Sequence, residues 1–152
     1  MKQTPAYDAI QRQMAPGVIT LEGFLGTDTR KLIDILAADD ATVRRAETTH
    51  AKIAERMQYF RNAGLDGLGE FMSMDGHFEV KVDSVRGKLP SPFGGPGMYE
   101  KVNTTVVNKH LGKEVVFTDL HIHFVRDHGF YEGQGSPFRL EPEDLIEVLE
   151  VE

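Results

Sequence analysis

Between Val43 and Phe60 the apolar positions recur at alternating steps of three and four: Val43, Ala46, His50, Ile53, Met57 and Phe60. That spacing draws a single stripe along an α-helix. Asp40 ahead of the run can cap it, and Gly64 behind it stands where a left-handed C-terminal residue belongs. The pattern therefore predicts one long helix over about 41–63, with a seam of ~36 Å at ~1.5 Å per residue. Such a seam packs equally well on a sheet or on the same helix of a second subunit, so a homodimer or larger homo-oligomer is one expectation. His50 falls inside the stripe and is read as a core histidine bonded to a neighbour.

Ahead of this helix the pattern is shorter and more punctuated. Thr4 followed by Pro5 is a helix start, a hydroxyl cap and then a residue whose missing N–H is harmless in the first turn, and it predicts a helix from Pro5 to Met14. Pro16 and Gly17 stop it, and Val18 to Leu21 reads as a brief extended segment. After Gly26, Thr27 or Asp28 caps a second helix to about Ala38, with Leu32, Ile35 and Leu36 on one side.

From Gly67 the period changes to two. Asp75-Gly76 is a two-residue hairpin signal between arms 70–74 and 77–85, the second turning Phe78, Val80 and Val82 inward and Glu79, Lys81 and Asp83 outward. Leu89 to Gly97 (LPSPFGGPG) is read as an irregular loop, either a lid over a site or a plain crossover. Met98 to Asn108 and Glu114 to Phe117 read as antiparallel neighbours. The last residues, from Pro142, fit a helix through Leu145, Val148 and Leu149 or an edge strand alternating Ile146 and Val148. The expected fold class is α+β: N-terminal helices packed on a small antiparallel sheet formed by the C-terminal half. Residues 1–152 form one domain in this reading, with 1–66 mainly helical and 67–152 mainly strands.

Composition narrows the function classes. The 152 residues are 40% hydrophobic and 27% charged with a net charge of -7, values of a soluble globular protein that disfavour nucleic acid and anionic membranes as partners. With no cysteine, disulfides and thiolate chemistry are excluded, and any metal falls to histidine and carboxylate. Neither a signal peptide nor a membrane span is legible, and the expected location is cytoplasmic.

Candidate chemistry concentrates in Thr118 to Arg139, TDLHIHFVRDHGFYEGQGSPFR, which holds three of the six histidines. Two backbones compete for its first half. As a strand, Asp119, His121 and His123 project from one face, a set able to ligate a divalent metal such as zinc, manganese or iron. As a helix, Thr118 or Asp119 caps, Gly129 stops, and the two histidines of HIH point roughly 200° apart. The site face is then His123, Asp127 and His128, with Arg139 arriving from the next strand. The cap and stop favour the helix. Gly133 and Gly135 suggest an anion-binding nest or, more simply, a tight turn. None of Ser73, Ser84, Ser91 and Ser136 sits in a nucleophile context.

The function expected is a binding or accessory protein that holds a small polar or anionic ligand at His123, Asp127, His128 and Arg139. A metal-dependent hydrolase or lyase using Asp119, His121 and His123 is one alternative. The other is a protein-protein or self-association module working through the long helix.

Overall fold

The computed structural model describes residues 2–152. Helix α1 spans Pro5–Gln13, with Thr4 accepting a hydrogen bond from the Tyr7 amide as its cap. Helices α2 (Leu32–Arg45) and α3 (His50–Gly64) follow. Strands β1 (Met72–Met74), β2 (Phe78–Pro90), β3 (Met98–Asn108) and β4 (Lys113–Thr118) form one antiparallel sheet in the order β1-β2-β3-β4. Helix α4 (Asp119–His123) runs directly into a π-helical stretch, Phe124–His128, and α5 (Pro142–Val148) closes the chain. The expected α+β class, with helices mostly in the N-terminal half and the sheet in the C-terminal half, is the observed one.

The single long helix is not formed. Its pattern is carried by two helices, because the chain turns at Ala46–Thr49. Glu47 adopts φ 58°, its amide bonds to the Arg44 carbonyl, and the Thr48 amide reaches back to the Val43 carbonyl. That pairing is the C-terminal lock of a helix with a left-handed residue just beyond its end, here a glutamate instead of the usual glycine. Thr49 then caps α3 by accepting from the Lys52 amide at 3.2 Å. Asp40 lies inside α2 and caps nothing; it pairs with Arg44 and His50.

Gly64 also differs from expectation. Its φ is -66°, and the left-handed residue is Leu68 at 51°. What Gly64 provides is closeness: a Cβ there would meet Val82 Cγ2 at 2.6 Å and Val80 Cγ1 at 2.7 Å. Helix α3 thus lies hard against β2, burying Ile53, Met57 and Phe60 with Phe78, Val80, Val106 and Phe117 in the main core. Each such side chain contributes roughly 1.5–3 kcal/mol on burial. Of the seam, Val43, Ile53, Met57 and Phe60 are buried inside the chain, His50 is half-buried and Ala46 is exposed.

Smaller departures follow the same logic of local chemistry overridden by pairing. Met74 faces Phe78, so the hairpin carries three residues, with Asp75 and Gly76 both at positive φ. Strand β2 continues past a bulge between Val85 and Lys88, so Leu89 and Pro90 pair with Tyr99 and Met98, and the loop shortens to 91–97. Val18 to Leu21 forms bends instead of a strand. Asp28 is not the cap of α2, which Lys31 precedes without a side-chain cap; it binds Arg30 and the Gln134 amide. The C-terminal alternative resolves as the helix α5.

A second core gathers Met14, Phe24, Leu32, Ile35, Leu120, Phe124 and Phe130. Helix α4 and its π-helical continuation stand between the two cores, giving Ile122 and Val125 to the first and Leu120 and Phe124 to the second. Apolar contacts on both sides leave the polar residues of this segment few directions in which to find partners.

Candidate functional site

Thr118 ends β4 and starts α4. Its hydroxyl accepts from the His121 amide at 3.1 Å, and His121 Nδ1 accepts in return from the Thr118 amide at 3.0 Å. In such a reciprocal cap the third residue is usually Glu or Gln; here an imidazole takes the place. The exchange fixes the tautomer, since a nitrogen that accepts carries no proton. The ring proton therefore sits on Nε2, which donates in a short hydrogen bond to Glu132 Oε2.

Glu132 is nearly fully enclosed, 2% exposed, and holds φ 70°. Its Oε1 accepts from the Ser136 hydroxyl at 2.9 Å, and its backbone carbonyl accepts from Arg139 Nη1 at 2.8 Å. The following glycines make the local path possible. A Cβ at Gly133 would stand 2.3 Å from the Leu25 carbonyl oxygen, and one at Gly135 2.2 Å from Thr27 Oγ1. The glycine-rich turn is thus a close seat for residues 25–27, backbone against backbone at Leu25 and Gly26 and backbone against the hydroxyl at Thr27.

His121 and Glu132 line a cleft of about 490 Å³ between the 20–24 segment, the bulged ends of β2 and β3, and the start of α4. Its walls are mainly apolar, from Leu21, Phe24, Val85, Leu89, Tyr99 and Phe138. The charged side chains among its lining are Glu22, Glu100, Glu132 and Lys101.

His123 points elsewhere and is also spoken for. Its Nδ1 meets Asp127 Oδ2 at 2.8 Å and the Tyr99 hydroxyl at 2.9 Å, while Nε2 meets Ser91 Oγ at 3.0 Å. The order serine, histidine, aspartate is that of a nucleophilic relay, which the sequence pattern did not reveal. Burial argues against that use: Ser91 is 6% exposed, the next residue Pro92 is buried, and Ser91 Oγ already accepts from the Phe93 amide at 3.1 Å. These bonds instead fasten loop 91–97 onto α4. Phe93 adds to the fastening by stacking on His128 at 3.8 Å between centroids.

The electrostatics of this corner follow from burial and neighbours. Burial, then the charge of His123, holds the His128 imidazole below its ordinary range, with Asp127 opposing. The Arg126 guanidinium beside Asp127, helped by His123 and opposed by burial, lowers that carboxyl.

The structure therefore brings together three of the four residues expected to hold a ligand: His123, Asp127 and His128. Arg139 is not with them. No strand carries it, and its guanidinium grips Asp39 at 2.7 and 2.8 Å, with Glu141 as a third partner. The triple considered for a metal is dispersed. Asp119 pairs with Arg61 at 3.0 and 3.1 Å, His121 with Glu132, and His123 with Ser91, Tyr99 and Asp127. Among the described residues no group of three or more His, Asp or Glu side chains is arranged to hold a metal ion. His50 binds the Tyr131 hydroxyl at 2.8 Å and Asp40 at 3.0 Å, the bonded seam histidine that its position suggested.

The pattern of the chain does not reveal Glu132 and Tyr99, whose histidine partners lie 11 and 24 residues away, nor the bond from Ser136 to Glu132 four residues before it. Thr118-x-x-His121 as a cap is the one missed signal within reach. No helix of the described residues is long and apolar enough to cross a membrane. No family model, curated protein or solved structure matches the chain.

Proposed function

We propose that the protein binds a small, largely apolar molecule carrying one hydrogen-bonding group, in the cleft beside His121 and Glu132. The observation that carries this reading is the cleft itself: mainly apolar walls with a few polar groups placed together, the usual make-up of a small-molecule site. It adjoins the histidine-rich segment and uses the face of α4 that bears His121, not the expected His123, Asp127 and His128. An anionic ligand fits poorly, because three carboxylates line the cleft against one ammonium, and Arg139 is held by Asp39.

Binding is favoured over catalysis by the same hydrogen bonds. His121 has one nitrogen committed to the Thr118 amide and the other to Glu132, so no lone pair is free to take a proton from a substrate. The Ser136 hydroxyl addresses Glu132 and not an imidazole. A ligand-holding, accessory role follows from a site whose imidazole is committed on both nitrogens.

Amide-resolved NMR with a panel of small aromatic and aliphatic molecules tests the reading. Binders are expected to shift the amides of Gly23, Phe24, Leu120 and Glu132 together. A panel that leaves these four unmoved, or that moves only the corner around His128, rejects it.

A further inference from the structure

Glu132 gives the cleft a more particular character. Both of its carboxylate oxygens accept, one from the Ser136 hydroxyl and one from His121 Nε2, which is the bonding pattern of the ionised form. Neither donor is a cation: the serine is neutral, and the His121 ring, with Nδ1 accepting from the Thr118 amide, carries a single proton. Arg139 reaches only the backbone carbonyl of Glu132 and spends its guanidinium on Asp39 and Glu141. A carboxylate with 3% of its side chain exposed is thus held by two neutral donors and lacks a counter-charge. Burying a charge in that state is unfavourable, and an opposite charge brought to it relieves the cost.

The surroundings supply the rest of a cation site. Each carboxylate oxygen has a second lone pair available beyond the bond it makes. Glu22 and Glu100, both exposed, add negative potential at the cleft. Lys101, the lining ammonium, runs along the bulge, its Nζ 3.5 Å from where a Cβ of Gly87 would stand. Phe24, Tyr99 and Phe138 present aromatic surface, which attracts cations as well as apolar groups.

We infer that the ligand of this cleft is an organic cation, an ammonium group on an apolar frame, with Glu132 as its counter-charge. The inference rests on the proposal above that the cleft holds a small molecule, and it adds the sign of the charge.

Three matched probes separate the two claims: 2-phenylethylamine, 2-phenylethanol and 3-phenylpropionate, titrated into the full chain at neutral pH and followed at the cleft amides. The amine is expected to bind about tenfold more tightly than the alcohol, the gain of one charge-assisted hydrogen bond, and the acid most weakly. Glu132→Gln should bring amine and alcohol within about twofold of each other, while Glu22→Gln combined with Glu100→Gln, which removes only the solvent-screened potential of two exposed groups, should keep most of the preference. An alcohol that binds as tightly as the amine overturns the cation and leaves the binding site; no response to any of the three overturns both. Should Glu132→Gln fail to fold, the exposed double variant decides: a ratio near ten there assigns the preference to Glu132, and a ratio near one removes the assignment.

Discussion

Asp39 and Arg139 are both buried, with side chains 8% and 7% exposed, and their two-pronged bond joins α2 to the segment that presents Glu132. Burial works to lower the Arg139 pKa, but the bonds to Asp39 and Glu141 outweigh it and hold the guanidinium charged. Arg139→Met removes three things at once: the Asp39 pair at 2.7 and 2.8 Å, the Glu141 contact, and the donor to the Glu132 carbonyl at 2.8 Å. It leaves a buried carboxylate unpaired, a loss of about 3–5 kcal/mol. It also frees a left-handed glutamate, a conformation that costs roughly 1–2 kcal/mol when nothing holds it. Asp39→Asn is milder, about 1–3 kcal/mol, because an amide oxygen still accepts and Glu141 remains. Asp39→Leu with Arg139→Met replaces both partners by apolar groups and should recover to within about 2 kcal/mol of the wild type. Urea unfolding of the singles and the double gives the coupling directly, and Arg139→Met alone should lower Tm by on the order of 10 °C for a chain of this size. A loss below about 1 kcal/mol for Arg139→Met, or a double variant no more stable than that single, would refute the argument that this pair holds Glu132 in place.

Three further outcomes follow from other corners of the fold. The Arg30 guanidinium beside Asp28, against the opposing effect of burial and with help from the Gln134 amide, holds that carboxyl down at about 2; its stabilisation is complete above ~4 and lost as pH falls toward ~2. Asp28→Asn should therefore be less stable than the wild type by about 1–2 kcal/mol at neutral pH, discounted for the partly exposed Arg30, and acid unfolding that shows an unchanged gap down to pH ~2 contradicts this. His128 titrates below its ordinary value of 6.5 for the reasons of burial and the His123 charge, so the unfolded chain takes up its proton first and stability declines as pH drops below ~6.5. His128→Gln should flatten that decline, and an imidazole midpoint above 6.5 by NMR would remove the cause. Ser91, fastened under its loop, should resist a fluorophosphonate probe in the native protein, and Ser91→Ala should lose about 1 kcal/mol in urea; stoichiometric labelling that His123→Gln abolishes would instead make it a nucleophile.

Much of the architecture is written in local rules. The Thr4-Pro5 start, the alternation of Phe78, Val80 and Val82 into the core, and the positive-φ pair Asp75-Gly76 are each settled by residues within a few positions of one another. The long helix fails for an instructive reason. Val43 on α2 and Ile53 on α3 both enter the main core, so a seam at helical spacing persists across a break in the helix. Hydrophobic period alone cannot distinguish one helix from two that present their stripes to the same core. The adjacent β-branched pair Thr48-Thr49 is the signal that can, since Thr49 is placed to cap and Thr48 to leave the helix.

The site divides along the same line between near and far. Thr118 and Gly129 bracket a helix, and that sends His121 and His123 to different partners, as a helix must. What those partners are is not local: Glu132 lies 11 residues from His121, Ser91 lies 32 from His123, and Asp39 lies 100 from Arg139. Composition had marked the segment as chemically dense, and it is dense because α4 is wedged between two apolar cores, where each polar side chain must be satisfied by a specific residue or bear an unmet cost. Most of the imidazoles meet that demand with full partnerships, which makes them structural. Glu132 meets it only halfway, with hydrogen bonds but no opposing charge, and a group left so beside an open apolar cleft is where a ligand has most to contribute.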